Sequence, residues 1–246
     1  MGRLQDKVIV VTGAAQGIGE GIAQACAQEG ARLILVDKAQ TVHQVGQSLG
    51  ATVLVVDLVS PDAGEVIAAF ARKTFGRLDG LVNNAGRVDE ADLLETDDAL
   101  WTATMDLNLM APFRLCRAAV PLMLEQGGGA IVNVSSIEAT HVRPRHFPYV
   151  ISKSGLNSLT RAIAVDYGRR GIRCNTLSPG SVRTPMFDDY VAAYPGLEQH
   201  LMGLNYAGRL GTPGELGQAA VYLLSDETPF LNGQDLVVDG ARIAAT

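Results

Sequence analysis

The chain lacks most of what a secreted, metal-binding or nucleic-acid-binding protein needs. Its three cysteines, Cys26, Cys116 and Cys174, are far apart and lie in apolar patterns, and no Cys-x-x-Cys or His-x-x-x-His occurs. This argues against a disulfide framework or a zinc site, so no metal is expected and the thiols read as buried structural groups. The formal net charge is −6 and no basic stripe is visible, which argues against a nucleic-acid partner. No apolar run approaches the ~18 residues of a membrane span, so no membrane is expected. The opening Met-Gly-Arg-Leu-Gln-Asp-Lys leads straight into a strand-like run, leaving no room for a signal peptide, and its sixth position is not the Ser/Thr of a myristoylation signal. The expected setting is the cytoplasm. There is no Pro/Ser-rich linker, repeat or low-complexity tract, and 47% hydrophobic against 19% charged residues can bury a core, so one domain over residues 1–246 is expected.

What the chain does have is alternation. Apolar runs at Val8 to Val11, Arg32 to Val36, Thr52 to Val56, Leu78 to Val82, Ala130 to Val134, Ile172 to Leu177 and Asp235 to Val238 read as strands. Helical patterns separate them, several closed by a glycine such as Gly30, Gly50 or Gly76. Two helices are expected between the fourth and fifth strands, one around Leu100 to Met110 and one from Pro112 to Glu125. Residues 184–208 are less regular and form the expected substrate lid. The implied architecture is α/β: a Rossmann-like doubly wound parallel sheet of about seven strands flanked by helices, with ligands outside the carboxyl ends of the strands.

Two stretches carry chemistry. Thr12-Gly13-Ala14-Ala15-Gln16-Gly17-Ile18-Gly19 joins the first strand to its helix, where absent side chains let backbone N–H groups approach a pyrophosphate. Asp37 lies 24 residues past Gly13 at the end of the second strand, where a carboxylate accepts hydrogen bonds from ribose hydroxyls. At about 4 Å it would repel a 2′-phosphate by roughly 4 kcal/mol at dielectric 20, which favours NAD (NADH) over NADP. The neighbouring Lys38 offsets about 0–1 kcal/mol of this. In the second stretch, Tyr149 and Lys153 are spaced i,i+4, so they share a helix face downstream of Ser136. Each has a bland reading too: such pairs are common, and a serine after a strand is a usual helix cap.

Taken together, these motifs resemble the short-chain dehydrogenase/reductase superfamily, in its compact single-domain oxidoreductase branch. The resemblance covers Lys7 to Gly240. It implies cofactor contacts at Gly13, Gln16, Gly17, Ile18, Gly19 and Asp37, at Asp57-Leu58, and at Asn84-Ala85-Gly86. It also implies them at Pro179, Gly180, Val182 and Thr184, and at Tyr149 and Lys153. Asn108, Ser136, Tyr149 and Lys153 resemble the catalytic tetrad, with 28 residues from Asn to Ser and 13 from Ser to Tyr. The sequence departs from the family pattern at Glu138-Ala139, Leu231-Asn232-Gly233-Gln234 and Val238-Asp239-Gly240-Ala241.

The resemblance implies hydride transfer between nicotinamide and a secondary alcohol or ketone, with Tyr149 as general acid/base. An ammonium about 5 Å away is worth roughly 3 kcal/mol at dielectric 20, so Lys153 should pull the phenol down toward the working range. Ser136 should hydrogen-bond the reacting oxygen and Asn108 hold a water. For the substrate two expectations stand. His141, Arg143, Arg145 and His146, with Glu138, suggest a carboxylate-bearing or polyhydroxylated molecule, unless they lie on the surface or at a subunit contact. Met186, Phe187, Tyr190, Tyr194, Leu201 and Met202 suggest an apolar lid. A homo-oligomer, with a tetramer favoured, is expected through the faces around Ala111 to Leu124 and Leu156 to Tyr167. A nucleotide-sensing regulator and an epimerase or dehydratase are the other readings.

Overall fold

The computed structural model describes residues 2–245. Seven strands are all parallel: β1 (Val8–Thr12), β2 (Arg32–Asp37), β3 (Thr52–Val55), β4 (Gly80–Asn83), β5 (Gly129–Val134), β6 (Ile172–Pro179) and β7 (Asp235–Val238). They form one sheet in the order β3-β2-β1-β4-β5-β6-β7. The helices are α1 (Gly17–Gln28), α2 (Val42–Leu49), α3 (Ala63–Phe75), α4 (Asp98–Met105), α5 (Ala111–Glu125), α6 (Phe147–Tyr167), α7 (Pro185–Ala192), α8 (Leu197–Gly203) and α9 (Pro213–Leu224).

Side chains along a strand point alternately to opposite faces, and β1 shows how this builds two cores. Ile9 and Val11 join Ile22, Cys26, Leu216 and Val221 beneath α1 and α9. Val8 and Val10 join Ile67, Leu115, Met123 and Ile163 beneath α3, α5 and α6. A sheet covered on both faces needs apolar residues at every position, and all five of β1 are buried. β1 pairs with β2 on one side and β4 on the other, so the loops leaving β1 and β4 diverge. A crevice opens there, at the carboxyl ends of the strands.

Three expectations change. The fourth strand begins at Gly80 rather than Leu78, because Asp79 caps the start of β1 through its carboxylate (Val8 N to Oδ2, 2.8 Å) and Leu78 N donates to the Gln126 side chain. The two helices before β5 are one: α4, a π-turn at Asp106–Met110 and α5 run on without a break. This Asp98–Glu125 helix is, among the described residues, the one long and apolar enough by length and composition to cross a membrane. It lies against α3 and α6, and Arg114 and Arg117 tie it to Val59 O and Glu65. Finally, residues 184–208 contain two short helices. The Thr184 hydroxyl caps the first by accepting from Phe187 N, Pro185 follows, and Gly196 in the left-handed region opens the second.

Candidate active site

A cavity of about 990 Å³ lies along the crevice. Its floor at the β1 end is a backbone structure. Gly13 and Gly17 both take φ of +63°, a conformation open to glycine at little cost. Thr12 Oγ1 donates to Val82 O and accepts from Asn84 N and Ala85 N, and Asn84 Nδ2 donates to Thr12 O and Gly13 O. The glycine loop is thus tied to the chain leaving β4. No side chain caps the start of α1, whose first N–H groups have no partner within the helix. Asp37 accepts from Ala15 N (3.1 Å) and Ala39 N (3.0 Å), which holds its carboxylate at the rim.

The second end of the cavity contains Ser136, Tyr149 and Lys153. Ser136 follows β5 and accepts from Glu138 N, so it is both the predicted cap and a wall of the cavity. Lys153 is 4% exposed and donates from Nζ to Val134 O at 2.8 Å, leaving two ammonium protons unaccounted for by that bond. Its ammonium lies 5.7 Å from the centre of the Tyr149 ring. Gly86 makes room for this group, since a Cβ there would lie 3.3 Å from Asn108 Oδ1 and 3.5 Å from Lys153 Nζ.

Electrostatics within the protein run against the expectation for Tyr149. Burial pushes the phenol up, the Ser136 hydroxyl pulls it down, and the charge of Glu138 pushes it up again. Burial also lowers Lys153 from 10.5 to about 8. Desolvation penalises both charged forms, and it is the largest cause in each case.

Asn108 sits in the π-turn, one layer behind the cavity wall. Its Oδ1 accepts from Arg87 N, and its Nδ2 donates to Arg87 O and to Ser152 Oγ. Both amide donors are used by the protein, so the side chain fastens the loop after β4 to α6 and has no N–H left for a water. π-turns are rare within helices and are found frequently at functional sites.

Most of the sequence-predicted contacts line this one cavity: Gly13, Gln16, Gly17, Ile18, Asp37, Asp57, Leu58, Asn84, Ala85, Gly86, Pro179, Gly180, Val182 and Thr184. Gly19 does not; its missing Cβ allows contact with Gly13 O, which a Cβ would meet at 2.1 Å. Of the substrate set, Glu138, Arg143, His146, Met186, Phe187 and Tyr190 line the cavity. His141 is exposed beside Thr140 Oγ1, and Arg145 points to Glu95 outside it.

The cationic cluster is therefore corrected to a balanced one. The sequence reading missed Glu90, which lies in a polar loop with no periodicity. That loop is held by a backbone bridge, with Ala91 N donating to Arg145 O and Phe147 N to Ala91 O. Glu90 accepts from the hydroxyls of Tyr190 (2.5 Å) and Tyr194 (2.8 Å), and Tyr190 accepts from Arg143 (2.6 Å). His146 Nδ1 lies 2.7 Å from Glu138 Oε2. Carboxylates of both segments thus pair with the cationic residues, Glu90 with Arg143 through Tyr190 and Glu138 with His146, so the wall is polar rather than purely cationic. The non-glycine Arg145 takes φ of +62°, a strained conformation of the kind that clusters at functional sites.

The pieces fit a nicotinamide dinucleotide: an uncapped helix start behind glycines, a carboxylate at the ribose position, and a buried ammonium beside a phenol. Among the described residues no cluster of His, Cys, Asp and Glu suits a metal ion. A family model described as enoyl-(acyl carrier protein) reductase matches residues 13–241. The D-threitol dehydrogenase of Mycolicibacterium smegmatis is 40% identical, with 97% of this chain and 93% of the relative covered. The 2-keto-3-deoxy-L-fuconate dehydrogenase of Xanthomonas campestris is 37% identical over 97% of this chain and 80% of its own length. Among solved structures, a Beutenbergia cavernae protein described as an NAD(P) dependent gluconate 5-dehydrogenase, with NADP bound at low occupancy, matches with TM-score 0.93 and 32% identity, covering 98% of each chain.

Proposed function

This chain belongs to the short-chain dehydrogenase/reductase superfamily, and from that premise we propose that it oxidises a secondary hydroxyl of a sugar-derived polyol, or reduces the matching ketone, with NAD(H). That it is an NAD(P)-type oxidoreductase of alcohols and ketones follows from the family. The observation that carries the finer reading is the convergence of Ser136, Tyr149 and Lys153 on a cavity whose other end has Asp37 at its rim.

When bound, the nicotinamide supplies or accepts the hydride and, in its oxidised form, adds a positive charge beside the phenol. Tyr149 takes the hydroxyl proton during oxidation and returns it to the ketone oxygen during reduction. Ser136 hydrogen-bonds that oxygen. Lys153 stabilises the phenolate and donates to the nicotinamide ribose with the protons not used by Val134. Because burial holds the phenol high, the positive charge of the oxidised nicotinamide would add to that of Lys153 when the site is filled, which ties proton transfer to occupancy.

Preference for NAD rests on Asp37, whose carboxylate is fixed by two backbone donors and cannot swing away at low cost. The polyol class rests on the balanced polar wall and on the relatives' sugar-derived substrates. A tetramer would use the groove between α5 and α6, lined by Phe113, Val120, Leu124, Leu159 and Ile163. The three thiols are buried and free, as a reducing, cytoplasmic setting would keep them. The test is a panel of polyols, sugar acids, steroids and apolar cyclic alcohols, followed through NADH absorbance with NAD and NADP in parallel. Turnover of polyols with NAD preferred is expected, and a strict preference for apolar rings would sink the polyol reading.

A further inference from the structure

His146 offers a polar atom that hydride transfer leaves unused. Its ring is 4% exposed and meets the Tyr149 ring edge-on, with centroids 6.1 Å apart. A carboxylate only accepts, so the 2.7 Å contact with Glu138 places a proton on Nδ1. Nε2, the other ring nitrogen, is buried without a hydrogen-bond partner. Glu90 Oε1 stands 3.8 Å from it, too far for a hydrogen bond. Both groups are held in place, Glu90 by its two tyrosines and His146 by the backbone bridge at Ala91.

This spacing selects a hydroxyl. One oxygen about 2.8 Å from both atoms closes a triangle on the 3.8 Å base. An alcohol donates and accepts, so it suits the pair in either state of the ring. With Nε2 bare it donates to nitrogen; with Nε2 protonated it accepts there and donates to Glu90. A carboxylate or carbonyl in the same place would set oxygen against oxygen, and a methylene would leave the buried nitrogen unsatisfied. His146 lines the same cavity as Ser136 and Tyr149, so a hydroxyl of the molecule bound there is the group positioned to meet Nε2.

We propose that His146, oriented by Glu138 and faced by Glu90, recognises a second hydroxyl of the substrate, which the 6.1 Å between the His146 and Tyr149 rings puts close to the reacting one, on the next carbon. The enzyme is then selective for vicinal diols among secondary alcohols. This rests on the alcohol-dehydrogenase reading above. His146 contacts the substrate, whereas Glu138 is a positioning residue that acts through His146.

The test compares kcat/KM with NAD for vicinal cyclohexanediol, its monomethyl ether and cyclohexanol, using the full chain. The wild type should favour the diol over cyclohexanol by about 100-fold, with the ether close to cyclohexanol. His146→Phe should bring the diol-to-cyclohexanol ratio within a few-fold of unity, and His146→Gln should restore part of it. Glu138→Gln should lower the ratio mainly through KM of the diol. Each ratio is taken within one variant, so loss of folded enzyme cancels, and NADH binding confirms the fold. If His146→Phe does not fold, the wild-type ratios and Glu138→Gln decide. Equal use of diol and cyclohexanol, a wild-type ratio in His146→Phe, or turnover of sugar alcohols without the cyclic diol overturns the inference while leaving the dehydrogenase standing. No turnover of any alcohol with either cofactor removes the dehydrogenase reading, and this inference with it.

Discussion

The two ends of the cavity are held by different kinds of bond. At the glycine-loop end almost every polar contact has a backbone partner: Asp37 to Ala15 and Ala39, Asn84 to Thr12 and Gly13, Thr12 to Val82. At the other end the contacts run side chain to side chain: Glu90 to Tyr190 and Tyr194 and Arg143 to Tyr190 join segments far apart in sequence, and His146 to Glu138 closes a shorter loop. Backbone geometry is insensitive to the identity of neighbouring side chains, so the first end suits a ligand that never changes. Side-chain networks are re-specified by single substitutions, so the second end can differ between relatives of one fold. Tyr149 and Lys153 belong to the second end, and are the point at which a cofactor held by the first would be joined to it.

The largest expected effect tests that junction. Tyr149→Phe should lower kcat by about a thousandfold while NADH binding, read by fluorescence, stays within a few-fold of wild type. An active Phe variant would remove the proton-transfer role, and loss of NADH affinity would erase the division between the two ends. Next is Asp37→Ser, which should shift the NADP-to-NAD ratio of kcat/KM about a hundredfold toward NADP without altering which alcohols are used. A change in alcohol preference would show that the ends are coupled.

Lys153→Met separates stability from activity. An unfolded lysine holds its proton up to 10.5, whereas the folded one releases it at about 8. Between those values the unfolded chain binds more protons, so wild-type stability should rise with pH from about 8 to 10.5, and the full penalty applies below 8. Lys153→Met should abolish that rise and raise the unfolding free energy at pH 7 by roughly 2 kcal/mol, after the lost bond to Val134 is counted, while turnover collapses. Urea titrations across pH measure both, and an unchanged slope would refute the assignment. The smallest effect belongs to the lid. Tyr194→Phe removes one half-exposed hydrogen bond to Glu90 and should raise the substrate KM by about two- to fivefold, with the KM for NAD unmoved.

The sheet was legible because its residues are apolar at consecutive positions and its helices end in glycines that adopt the left-handed region, as Gly50 and Gly76 do. The cofactor end was legible for the same local reasons, since strand, glycine turn and helix follow one another along the chain. The lid end was not. Glu90 belongs to an aperiodic polar loop, and nothing local ties it to Tyr190, one hundred residues away. Charge counting along residues 141–146 alone suggested a cationic site, because the balancing carboxylate arrives from another segment. Helix α7 does have a local signal, Thr184-Pro185, which marks a helix start as well as an expected cofactor contact. Pro112 suggested a helix start, yet after a π-turn, where the hydrogen-bond spacing already changes, its missing N–H interrupts nothing.

That π-turn also settles how one rod serves two neighbours. An inserted residue rotates everything beyond it by about 100° relative to an uninterrupted helix. The rod meets α6 through α4 and the π-turn and meets α3 through α5, so the turn lies where one packing partner gives way to the other. Deleting one residue within 106–110 would turn α5 against α4 by about 100° and carry Asn108 off the loop it fastens, leaving the chemical residues intact but the crevice no longer framed around them.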